Sequence, residues 1–165
     1  MLWYRSLFAV CLMLCLSACG FMPMYGAAAH VERPDIEIAN IPDRDGQYLR
    51  NQLIDQLNTA GRPADAPYIL SLAPLTKTIV NIGIQKDATA TRAQMQFTTH
   101  MKLTERATGK IMLERDLKTV GAYNLLDNQF ATLVSQQNIT ESTLREMADS
   151  AVTELDLYFR RAGGA

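Results

Sequence analysis

The stretch RAQMQFTTHMKLTER, residues 92–106, decides the fold. Its side chains alternate: Met95, Phe97, Met101 and Leu103 fall on one side, Gln94, Gln96, His100 and Lys102 on the other. A period of two marks a β-strand with one face in a core and the other in water. Beyond it, Ala107-Thr108-Gly109 is a tight-turn signal, and a further strand reads over Lys110 to Tyr123. Before it, Gln85 to Ala90 forms a polar turn carrying Lys86 and Asp87. That turn is entered from a strand over Tyr68 to Leu72 which Pro74 interrupts and Leu75 to Ile84 resumes. Proline has no amide hydrogen to give a ladder, so Pro74 predicts an edge position or a bulge. Together these segments make a three-stranded meander.

The flanks supply the remaining elements. Ile36 to Ile41 alternates as a first strand, ended by Pro42. From Gln47 to Ala60, Tyr48, Leu49, Leu53, Ile54 and Leu57 recur at spacings of three and four, one face of an amphipathic helix. Asp43 or Asp45 is placed to cap it, and Gly61 with Pro63 stops it. Near the end, Leu144, Met147, Ala148, Ala151, Val152, Leu155, Tyr158 and Phe159 share a second helical stripe. Its N-cap is expected at Asn138 or Thr140, with Phe130 to Gln137 either helix or approach loop; Arg160 and Arg161 suit its negative end. The order β-α-β-β-β-α predicts an α+β fold, two helices packed on one face of a four-stranded sheet.

The first residues are of another kind. Leu7 to Leu16 is an apolar run of ten, preceded by Arg5. A spanning helix needs about 20 such residues, whereas a short run behind a positive start is the pattern of a secretory signal peptide. Leu16-Ser17-Ala18-Cys19 resembles the lipobox of bacterial lipoproteins, where the cysteine is acylated and the chain is cut before it. The expected organisation is a signal peptide over 1–18, a lipidated tether over 19–34 and one domain over 35–165. Cys11 and Cys15 leave with the signal and Cys19 becomes a thioether, so no thiol redox chemistry or disulfide is expected. In the tether, Phe21 and Tyr25 either pack on the body or lie at the membrane interface.

The body offers little for catalysis. The chain of 165 residues is long enough for one domain with a proper core; 48% is apolar and 20% charged. Cutting after residue 18 leaves 15 basic against 17 acidic side chains, a balance that argues against a general nucleic-acid binder. His30 and His100 are the only histidines, neither with a partner at metal-ligand spacing, and both read as solvated. Glu114 and Asp116 share a strand face and read as a solvated pair rather than an acid and base. No nucleophile elbow, phosphate loop or dinucleotide motif is present. No catalytic residue, metal site or cofactor is therefore expected.

Two features stand out from this background. Ile79, Val80, Ile82 and Ile84 are more apolar than a hairpin tip needs, and are either buried beneath the last helix or turned to a partner, with Ile82 and Ile84 the candidate contacts. Lys86 and Arg92 flank the turn, with Lys77 on the same strand pair, a cluster of the kind that attracts phosphate.

The lipobox followed by Gly-Phe-Met-Pro-Met-Tyr (residues 20–25), with this element order, resembles the LptE family of lipopolysaccharide-assembly lipoproteins. Leu49-Arg-Asn-Gln-Leu53, Ala93-Gln-Met95, Ser135-Gln-Gln-Asn138 and Leu144-Arg-Glu-Met147 carry the likeness along the chain. The resemblance implies a non-enzymatic protein on the periplasmic face of the outer membrane. It would plug and assemble an LptD-type β-barrel, and would bind lipopolysaccharide on its way to the cell surface. It also implies a basic contact at the turn, which Lys86 matches, and a second where this chain has Gln136. Glutamine carries no charge, leaving Lys77, Arg92 or Lys110 as substitutes. The alternative reading is an auxiliary lipoprotein of an envelope ABC transporter, which shares the tether and an α+β body.

Overall fold

The computed structural model describes residues 34–58, 61, 63, 65–84, 90–126 and 128–163. The lipobox, the tether and the Lys86 turn lie outside these residues. Strands β1 (Ile36–Ile38), β2 (Tyr68–Leu72), β3 (Thr76–Ile84), β4 (Ala90–Glu105) and β5 (Ile111–Asn124) alternate with helices α1 (Arg44–Leu57) and α2 (Gln129–Gly163) in the order β1-α1-β2-β3-β4-β5-α2.

The sheet is mixed and has five strands, where four were expected. The extra strand comes from the break at Pro74. β2 pairs with the Met101 to Glu105 end of β4 and β3 with its Ala90 to Thr98 end, while β5 runs along β4 from Arg92 to Thr104. Since β5 takes one edge of β4, β2 and β3 must lie end to end along the other. The gap is bridged at Ala73, whose amide donates to the His100 carbonyl (2.9 Å) and whose carbonyl accepts from Thr99 Oγ1 (2.7 Å). Proline thus breaks the strand without moving it off its partner. β1 adds the parallel pairing, on the far side of β2.

Alternation along β4 divides the sheet as its sequence foretells. Ala93, Met95, Phe97, Met101 and Leu103 are fully buried; Gln94, Gln96, Thr98, His100 and Lys102 are half-exposed on the opposite face. The core beneath is completed by Ile36, Ile38, Leu70, Leu49 and Leu53 at one end and by Leu144, Met147, Ala151 and Leu155 from α2. α1 packs on β1 and against α2, and α2 lies on β5 and touches β4. β3 is flanked in the sheet by β4 alone and makes no close backbone contact with either helix.

Both helices begin earlier than expected. α1 starts at Arg44, and Asp43 occupies its N-cap position without making a side-chain cap bond. Arg50 ties α1 to the first strand by donating to the carbonyls of Ile38 (3.1 Å) and Ala39 (3.2 Å). Gly46 meets Ile41 so closely that a Cβ there would lie 2.7 Å from Ile41 Cγ2.

α2 is capped by Asn128, whose Oδ1 accepts from the amides of Phe130 (2.9 Å) and Ala131 (3.3 Å), not by Asn138 or Thr140. Thr140 lies inside the helix, buried, and donates to the Gln136 carbonyl. The helix has 35 residues, about 50 Å of rise. Among the described residues no helix is both long and apolar enough to cross a membrane.

Candidate functional site

Where the two helices part over β3 they leave a groove of about 610 Å³. Arg44, Asp45 and Tyr48 of α1 form one wall, Gln136 and Glu141 of α2 the other, and Lys77 reaches it from β3. Leu133 and Leu144 add apolar surface. Lys77 Nζ lies 3.5 Å from Asp45 Oδ2 and 5.3 Å from the centre of the Phe97 ring. The ammonium is thus steered toward the helices by a carboxylate and an aromatic face. Its pairing with Asp45 is about one-third exposed on both sides, and exposed pairs are worth only about 0–1 kcal/mol. An incoming anion displaces such a carboxylate at little cost.

Lys77 and Gln136 therefore border one groove. The structure separates Lys77 from Arg92, however. Lys77 pairs with Phe97 in register and shares the helix-side face, whereas Arg92 sits opposite Ile82 and Asn124 on the polar face. Their register positions on β4 are five residues apart, about 17 Å of strand. Lys110 is exposed just beyond the turn at the other end of β4. Lys86 and the Ile84 side chain lie outside the described residues. Ile82 is half-buried on the polar face, while Ile79 and Val80 are 43% and 53% exposed, so the last helix does not bury these two.

The polar face brings His100 and the Glu114–Asp116 pair, expected from sequence to be merely solvated, into one cluster. His100 stands between the two carboxylates of β5, with Nδ1 2.6 Å from Asp116 Oδ1 and Nε2 2.7 Å from Glu114 Oε1. Lys102 Nζ approaches the same Glu114 oxygen at 3.1 Å. A carboxylate only accepts, so the bracket favours the imidazolium form, in which both ring nitrogens donate. The Asp116 and Glu114 hydrogen bonds raise the pKa of His100 above its ordinary 6.5, and the His100 and Lys102 bonds lower that of Glu114 below 4.5. Each ring nitrogen faces its own carboxylate, so the three groups do not converge on a metal; among the described residues no such group does. The hairpin signal held this information: reflecting β4 through Thr108 sets His100 against Asp116.

This arrangement fixes a pH response. A raised histidine pKa contributes stability that is fully present below pH 6.5 and lost as pH rises through the folded value. The lowered Glu114 value contributes above pH 4.5 and is lost as pH falls through its folded value. The urea midpoint of the protein should therefore fall relative to that of His100→Gln as pH rises from 6.5 into the alkaline range. Parallel midpoint curves across that interval would show that the bracket contributes nothing.

The profile of LptE, described as lipopolysaccharide-assembly, matches residues 32–155, which span the whole sheet, α1 and most of α2. None of the curated protein sequences matches the chain significantly. Among solved structures, a Caulobacter crescentus lipoprotein is similar at 21% identity and a TM-score of 0.60, covering 76% of this chain and 90% of its own. A minor lipoprotein of Acinetobacter baumannii follows at 16% identity and 0.62, covering 75% and 91%. The rare lipoprotein B of Shewanella oneidensis, at 13% and 0.52, covers 74% and 96%. At these identities the structures show a shared fold. With the profile matching most of its length, the chain belongs to the LptE family of lipopolysaccharide-assembly proteins.

Proposed function

We propose that the protein is a non-enzymatic outer-membrane lipoprotein that partners and plugs an LptD-type β-barrel and binds lipopolysaccharide during its delivery to the cell surface. The observation that carries this reading is the family match over residues 32–155, a short tether behind a lipobox at Leu16 to Cys19. Residues 1–18 act as the signal, acyl chains on Cys19 hold the protein to the periplasmic face of the membrane, and residues 19–34 tether the domain that follows. Affinity capture of the native lipoprotein from detergent-solubilised outer membrane should recover a large β-barrel protein. Recovery of soluble periplasmic proteins alone, or of an inner-membrane ATPase complex, would sink the proposal.

Lipopolysaccharide phosphates are met by cations. Lys86 supplies the one at the turn, and Lys77 stands in for the charge that Gln136 lacks, because both border the same groove. Arg92 faces the other side of the sheet and adds to the field from there. Lys86→Glu and Lys77→Glu should each weaken lipopolysaccharide binding about tenfold at low salt, the scale of a lost charge-assisted hydrogen bond. Circular dichroism should be unchanged. Full binding by Lys77→Glu with loss in Lys86→Glu would remove the groove from the site.

A further inference from the structure

We infer that the first turns of α2 hold acyl chains of the lipopolysaccharide whose phosphates the groove receives. This rests on the lipopolysaccharide reading above and adds where the fatty part of the ligand lies. Over this stretch the helix is turned inside out. Phe130, Leu133 and Val134 are exposed, at 73%, 61% and 43%, whereas the small or polar Ala131, Thr132 and Ser135 are half-buried. Beyond Thr140 the arrangement reverses, and Leu144, Met147, Ala148 and Ala151 are buried. Spacings of three and four put Phe130, Leu133 and Val134 on one face of the helix.

That face continues into the groove. Leu133, Gln137, Thr140 and Leu144 follow one another at the same spacings, and all four line it. Leu133 therefore belongs to both the groove and the apolar row, and Phe130 lies one turn farther out, roughly 5 Å along the helix.

Charge indicates the occupant. From Gln129 to Thr140 the helix carries no charged side chain. In the groove, Asp45 is paired with Lys77, and Glu141 accepts from Gln137 Nε2 (3.2 Å). Arg44 is exposed there and forms no ion pair among the described residues. A groove with cations, from which an uncharged apolar row leads away, complements an amphiphile with an anionic head and hydrocarbon tails. The interior of a transmembrane barrel is polar, so the wall that a plug faces is a poorer match to Phe130, Leu133 and Val134 than an acyl chain.

The test uses the full lipoprotein in detergent and two ligands: purified lipopolysaccharide, and the same material stripped of its fatty acids by alkali. Phe130→Ser/Leu133→Ser should weaken binding of the intact ligand about tenfold or more, the scale of half-burying two large apolar side chains. Binding of the deacylated ligand, held by cations alone, should be unchanged, whereas Lys77→Glu should weaken both. Leu157→Ser removes another exposed apolar side chain, toward the far end of α2, and should change neither. If the unsubstituted protein binds neither ligand, the lipopolysaccharide reading fails and takes this inference with it. If it binds the intact ligand and the double variant binds it equally well, the acyl-chain inference alone is overturned. Equal weakening toward both ligands also overturns it, because the row then acts through the groove. Loss of barrel capture by the double variant with lipopolysaccharide binding intact overturns it too, and assigns the row to the barrel wall.

Discussion

Replacing Gly121 by valine is expected to destabilise the protein by about 3 kcal/mol, the upper end of what overpacking a close contact costs. Gly121 lies in β5 where α2 crosses it, and a Cβ there would stand 2.7 Å from Ile139 Cγ1 and closer still to Thr143 Oγ1. Both atoms belong to α2, and Thr143 is fixed by its hydrogen bond to the Ile139 carbonyl (2.7 Å). The helix must lift from the sheet to make room, and the buried row Leu144, Met147, Ala148 and Ala151 goes with it. Unlike Gly109, which has a φ of 69°, Gly121 has no positive φ, so backbone strain plays no part. Valine is a better strand former than glycine by up to about 1 kcal/mol. The two effects therefore have opposite signs. A thermal midpoint lowered by about 10 °C is expected; an unchanged or raised midpoint would show that the helix does not lie where described. Thr143→Ala should recover part of the loss in the double variant Gly121→Val/Thr143→Ala, because it removes the nearest obstructing atom.

That close crossing also shows what the sequence made legible and what it did not. Periodicity reports burial, so it found β4 and the half of α2 from Leu144 to Phe159, where one side is pressed into the core. It missed the start of α2 because Phe130, Leu133 and Val134 are exposed, at 73%, 61% and 43%. A helix that does not pack leaves no stripe to read. The Asn128 cap was available as a residue type, but with no stripe behind it nothing singled it out. The break at Pro74 was readable as a local event, whereas its consequence, two collinear strands along one edge of β4, depends on pairing at a distance. The bracket around His100 was missed for a similar reason. Glu114 and Asp116 are two apart on one strand, and only the register of the hairpin sets a cation between them. The groove needed still more, because Lys77 and Gln136 meet only where α1 and α2 diverge.

The largest effect is expected at Cys19, the proposed site of lipid attachment. If Cys19 is the acylated residue, cells fed labelled palmitate should label the wild-type protein, and Cys19→Ala should carry none. The run Leu7 to Leu16 contains two further thiols, Cys11 and Cys15, so the experiment discriminates among three chemically equal candidates. Only Cys19 has Leu16-Ser17-Ala18 directly before it, and only a cut at that point removes the whole apolar run. The double variant Cys11→Ala/Cys15→Ala should therefore label as the wild type does, and its mature chain should begin at Cys19. Each buried methylene contributes about 0.8 kcal/mol, so several acyl chains hold a protein stably and a protein without them is released. Label retained by Cys19→Ala, or lost from the double variant, would move the anchor into the apolar run. Residues 1–18 would then be a retained segment rather than a signal.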